Sequence, residues 1–147
     1  MFEPVTPAGA LVYPNGIALA PDGRLYVAHL PGIAMVATDS GAVKPMETVP
    51  GAPLGGIDGL VLERGALLAV QNGIGRPRMV SIALDSTGER ATGLTVLEND
   101  PAALELPTTA CASGGAMYTI ANSQLRAFRS VDGARRLEAT RILRTPL

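Results

Sequence analysis

Apolar residues in this chain gather in short runs of about four to six, each cut off by Gly, Pro or Asp and rich in Val, Ile and Thr. That pattern predicts strands. The 3.6-residue spacing of an amphipathic helix is missing, and Pro101 to Leu106 offers one helical turn at most.

The runs repeat. Asn15 to Leu19 is followed by a turn and Leu25 to His29, Asp58 to Leu62 by Leu67 to Gln71, and Thr108 to Ala112 by Met117 to Ala121. The starts lie about 43 and about 50 residues apart, close to the length of one four-stranded propeller blade. Third strands are expected at Ile33 to Thr38, Met79 to Leu84 and Leu125 to Phe128. Each should end at a turn: Asp39 to Gly41, Asp85 to Gly88, and Asp132 with Gly133. Asp bonds its own downstream backbone there and Gly accepts positive φ. Fourth strands follow at Lys44 to Val49, Gly93 to Leu97 and Ala139 to Leu143. The first strand of each unit is rich in small residues, as suits strands crowding towards an axis.

The expectation is an all-β chain of three four-stranded antiparallel propeller blades, half of a six-bladed β-propeller. The whole chain, 1–147, forms one half-propeller domain with repeats near 13–54, 55–104 and 105–147 and an N-terminal extension, 1–12. Three blades leave open sheet faces, so closure calls for a missing N-terminal half or for a second copy in a homodimer. The segment Phe2 to Val12 is a candidate partner strand across that junction.

Composition narrows the function. With 47% hydrophobic and 17% charged residues the chain fits one folded domain rather than a disordered one. Twelve basic against 13 acidic side chains give a net charge of -1, which argues against nucleic acid or an anionic membrane as partner. The basic residues at the C-terminal end, Arg126, Arg129, Arg135, Arg136, Arg141 and Arg144, read as a solvated last strand. Cys111 is the single cysteine, so no internal disulfide or thiolate zinc site can form. Its place in an inner strand predicts structural burial. No run approaches a membrane span, and the start carries no basic and apolar signal pattern. As given the chain reads as cytoplasmic, with a periplasmic location open to a longer parent.

The stretches YPNGIALAPDGRLYVAH, GIDGLVLERGALLAV and LPTTACASGGAMYTIANSQL, in this order, resemble the C-terminal half of the gluconolactonase and regucalcin family of six-bladed propellers. The resemblance implies a lactone- or ester-opening hydrolase in which one divalent cation, commonly calcium, polarises the carbonyl of a small-molecule substrate. It matches Asn15 to the family's Asn ligand, and Asp58 to the Asp that both ligates the metal and activates water. Amide and carboxylate oxygens are hard ligands suited to calcium. The family's Glu ligand belongs to the N-terminal half, and the surroundings of Glu3 do not match it. In a homodimer Asn15 and Asp58 would appear twice.

Against these roles stand simpler ones. Asn15 with Gly16 spells a turn, and Asp58 can bond nearby backbone amides. His29, Gln71, Asn72, Thr108 and Asn122 are expected on the same rim as substrate-lining residues. His29 is a candidate general base, or merely an exposed histidine. The Gly73 to Pro77 segment lacks the third glycine and the helix of a phosphate cradle, and reads as a hairpin loop. The alternative to a hydrolase is a non-catalytic propeller module that binds a small molecule or a partner.

Overall fold

The computed structural model describes residues 3–100, 102–128 and 137–147. Those residues form three sheets packed side by side in chain order. The first sheet runs β1 (Ile17–Leu19), β2 (Leu25–His29), β3 (Gly32–Val36) and β4 (Val43–Pro45), all antiparallel. The second contains β6 (Ile57–Glu63), β7 (Ala66–Gln71), β8 (Arg78–Leu84) and β9 (Arg90–Glu98), and β5 (Glu47–Thr48) adds to its outer edge in parallel. The third holds β10 (Ala110–Ser113), β11 (Ala116–Ile120) and β12 (Ile142–Pro146).

Small apolar side chains on facing sheets fill the two junctions. Ala18, Tyr26, Ile33 and Met35 of the first sheet pack with Leu60, Leu67, Val80 and Ile82 of the second. Leu68, Val70 and Met79 pack with Met117 of the third, where Ala110 and Ala112 close the gap. Two glycines allow the first strands of neighbouring sheets to meet. A Cβ on Gly16 would lie 2.6 Å from the carbonyl oxygen of Asp58, and one on Gly59 2.7 Å from that of Thr108. The third repeat has Thr109 at the matching position.

Several expectations give way. Leu125 to Phe128 is not a strand: it forms a single helical turn, α1 (Leu125–Phe128). Leu, Arg and Ala favour helix, and Gln124, at φ 54°, turns the chain ahead of it. The last strand, expected at Ala139 to Leu143, lies at Ile142–Pro146 and pairs directly with β11, so the third sheet has three strands among the described residues. Lys44 to Val49 splits in two. Met46 turns into the core and its N–H bonds to Ile33, after which β5 leaves for the second sheet. Residues 3–12 form no strand and lie against the first sheet, where Leu30 donates to the Val12 carbonyl. Cys111 is exposed, because alternation along β10 gives the junction to Ala110 and Ala112.

The turns fare better. Gly41 and Gly88 hold positive φ, and Asp85 Oδ1 accepts from Thr87 and from the Glu89 and Arg90 N–H groups. Around Asp100 the carbonyl takes the N–H groups of Ala103 and Leu104, a single turn. Asp132, Gly133 and the first residues, including Phe2, lie outside the described residues, as do Arg129, Arg135 and Arg136.

Candidate functional site

The starts of β1 and β6 and the ends of β2 and β7 come together on one face, around a cleft of about 180 Å³. Tyr13, Asn15, His29, Leu30, Asp58 and Asn72 line it. Asp58 is its polar centre. Asn15 Nδ2 donates to Asp58 Oδ1 at 2.7 Å, and Asn72 Nδ2 donates to Asp58 Oδ2 at 2.5 Å. The Asn72 amide also reaches the Pro107 carbonyl at 2.6 Å, so one short network joins all three sheets.

Two glycines fix Asn72 in place. The backbones of Gly56 and Gly73 pass so closely that a Cβ on either would lie within 2.8 Å of the other's main chain. The N–H groups of Asn72 and Gly73 both donate to the Gly56 carbonyl, at 3.0 and 2.9 Å. The loop after β7 is thereby held against the start of β6, and the carboxylamide of Asn72 falls on Asp58.

No Lys or Arg comes within ion-pair reach of Asp58 among the described residues. His29 is partly buried with Nδ1 lacking a hydrogen-bond partner, and burial pushes its pKa below the ordinary 6.5, favouring neutral imidazole.

Two of the expected rim residues are buried and turned to structural contacts. Gln71 is fully buried: its Nε2 donates to the Pro53 and Gly55 carbonyls and its Oε1 accepts from Arg78, which leaves nothing for a substrate. Asn122 is buried as well, bonding the Ala139 carbonyl and the Arg141 N–H to hold the approach to β12. Thr108 uses its N–H on Ile120 and its carbonyl faces Gly59; the third repeat reaches the network through Pro107 instead. Tyr13 and Leu30, 81% and 61% exposed, were invisible to the repeat pattern because they lie outside the repeated strands.

Among the described residues no three His, Cys, Asp or Glu side chains converge as a metal cluster. Asp58 and the Pro107 carbonyl nevertheless present oxygens of the hard type that calcium accepts. A half turn of the Asn15 amide would present its oxygen in place of Nδ2.

No protein-family model and no curated protein matches the sequence. Solved structures do. The PQQ-bound aldose sugar dehydrogenase of Streptomyces coelicolor superposes with a TM-score of 0.64 at 20% identity, over 97% of this chain and 46% of that one. An oxidoreductase named as a glucose dehydrogenase from Thermus thermophilus gives 0.61 at 20% identity, over 98% and 46%. The chain thus spans less than half the length of either. Neither structure is a gluconolactonase or regucalcin, and at this identity the likeness extends to fold. The chain has an all-β, propeller-like fold.

Proposed function

We propose that this chain is one part of a metal-dependent hydrolase of the gluconolactonase type, opening a lactone or ester ring, with Asn15 and Asp58 as two ligands of a divalent cation, calcium by preference. The observation that carries this reading is Asp58 itself: a carboxylate at the start of an inner strand, open to a cleft and without a cationic neighbour among the described residues. A partly buried carboxylate with no counter-ion favours binding a cation. Similarity to sugar dehydrogenases supports the broader class, a propeller acting on carbohydrate.

Calcium takes about six to eight oxygen ligands, more than Asn15, Asp58 and Pro107 offer. The remainder would come from further blades, supplied by a second copy or by a missing N-terminal half. On this reading residues 1–147 act as a single three-bladed unit of a six-bladed ring. A cation bound here would polarise the lactone carbonyl and lower the pKa of its water. Within the chain, Asp58 would take the proton once Asn15 or Asn72 releases an oxygen, neutral His29 would be a second acceptor, and Tyr13 and Leu30 would flank the substrate.

One observation favours the non-catalytic reading. Both Asp58 oxygens already accept from side-chain amides, and the network spans three sheets, which is the pattern of a structural tie. Calcium titration of wild type and Asp58→Ala, with circular dichroism as the fold control, separates the two. Saturable binding lost in a folded variant supports the hydrolase; binding that survives the substitution removes Asp58 as a ligand and leaves the tie.

A further inference from the structure

A second cleft is lined in part by the loop that follows Asn72. It encloses about 390 Å³ and is lined by Ile74, Gly75, Arg76, Arg78 and Asn99. Asn72 and Gly73 line the Asp58 cleft, and the next three residues, Ile74, Gly75 and Arg76, line this one.

Arg78 is oriented from beneath. Its Nε donates to Gln71 Oε1 at 2.7 Å, and Gln71, with no exposed surface, is itself clamped by the Pro53 and Gly55 carbonyls at 2.9 and 2.7 Å. That buried amide uses one N–H of the guanidinium. Nη1 and Nη2 have no protein acceptor among the described residues, and neither Arg76 nor Arg78 has a carboxylate within ion-pair distance there. Glu98, which pairs with Met79 across the sheet, is turned back onto the Asn99 and Asp100 N–H groups at 2.8 Å. The cation is therefore held half-buried by a neutral oxygen, with no ion-pair partner among the described residues and with two donor nitrogens left over. A fork of that kind suits an oxyanion bound through two parallel hydrogen bonds.

We propose that Arg78, supported by Arg76 and Asn99, is an anion-binding site for a carboxylate or phosphate group on a small molecule. The recognition is by guanidinium, not by a glycine-rich backbone cradle. That this group belongs to the substrate of the Asp58 cleft rests on the hydrolase reading; the anion site itself does not.

The test is titration of the full chain with inorganic phosphate and, separately, with acetate, in buffer freed of metal on a chelating resin and at constant ionic strength, read by amide chemical shifts. Saturable shifts centred on Gly75 and Asn99 are expected, with whichever anion binds tighter naming the class. Arg78→Met should weaken binding at least tenfold, and Arg78→Lys, which keeps the charge but loses the fork, should fall between. Failure of both anions to saturate these amides in wild type would overturn the proposal, whether or not the variants fold. Equal affinity in folded Arg78→Met would overturn it too. Because no metal is present, a negative result leaves the Asp58 reading untouched, and loss of calcium binding in Asp58→Ala leaves this one untouched.

Discussion

Asn15 donates through Nδ2 to Asp58 Oδ1 across 2.7 Å, joining the starts of two inner strands that stand 43 residues apart in the chain. The same carboxylate receives Asn72, which in turn holds the Pro107 carbonyl. The polar centre of the candidate site is thus also the fastening between neighbouring sheets. A substitution there changes stability whatever the site binds, so effects on binding and on stability must be measured apart.

Asn72→Ala is expected to cost more stability than Asn15→Ala. Asn72 is partly buried and serves two acceptors, so its loss strands the Pro107 carbonyl and one carboxylate oxygen, about 1–3 kcal/mol. Asn15 is exposed and water replaces it, which holds its cost near about 0.5–1.5 kcal/mol. Denaturant midpoints at unchanged m-value check the order. Equal values would mean that the network contributes nothing beyond two surface contacts.

Gly59→Ala should be among the most disruptive single-methyl changes in the chain. Its new Cβ would meet the Thr108 carbonyl at 2.7 Å and the Thr109 Cα at 3.0 Å, both backbone, so the second and third sheets must separate. Overpacking of this kind costs about 1–3 kcal/mol. Gly93→Ala, with no atom within 4 Å of the added Cβ, is the control and should be neutral or slightly stabilising. Thermal unfolding of the pair reads the difference.

The strand order and the repeat were legible because period and turn residues are local: Ile17 to Leu19, Leu25 to His29 and the Asp85 turn follow from alternation and turn chemistry alone. Asp58 and Asn15 could be paired by register, since both start an inner strand. Gln71 and Asn122 could not be told from rim residues. Their burial depends on the Pro53, Gly55 and Ala139 carbonyls, which come from distant loops and carry no side-chain signature. The same holds for Pro107, which contributes only its carbonyl. Leu125 to Phe128 failed for another reason: four apolar and helix-forming residues read alike in either state when the run is short.

His29 gives the fold an acid-side weakness. Burial holds its pKa below the ordinary 6.5, so as pH falls through 6.5 the unfolded chain takes up a proton that the folded chain refuses. Stability should therefore decline from neutral pH towards the lowered folded value, and His29→Gln should flatten that decline. Asp22 acts in a separate window. The hydrogen bond from Arg24 lowers its pKa, so its contribution is present above 3.8 and is lost as pH falls through the folded value. Urea midpoints between pH 7 and 5 isolate the histidine; an identical slope in His29→Gln would discard it as the cause.

The two outer faces decide whether the candidate site can be completed by a second copy. On the first sheet Ala18 points into the core, so Ile17 and Leu19, 58% and 66% exposed, point the other way. On the third, Cys111, Tyr118, Ile120 and Ile142 line an apolar hollow of about 490 Å³. A two-fold axis would bring the first sheet of one copy onto the third sheet of the other twice, burying both faces and doubling Asn15 and Asp58. That junction would differ from the two within the chain, because Thr109 stands where Gly16 and Gly59 allow backbone contact, and its Cβ holds the incoming strand further out. Light scattering behind a sizing column should then give twice 15.1 kDa for wild type, and Ile142→Asp, which sets a charge in the middle of the hollow, should return the chain to one copy. A wild-type mass of one copy would overturn ring closure by self-association. Calcium binding through Asp58 would then have to draw its remaining ligands from another polypeptide, and of the two binding sites the anion site at Arg78 would be the one testable in this chain alone.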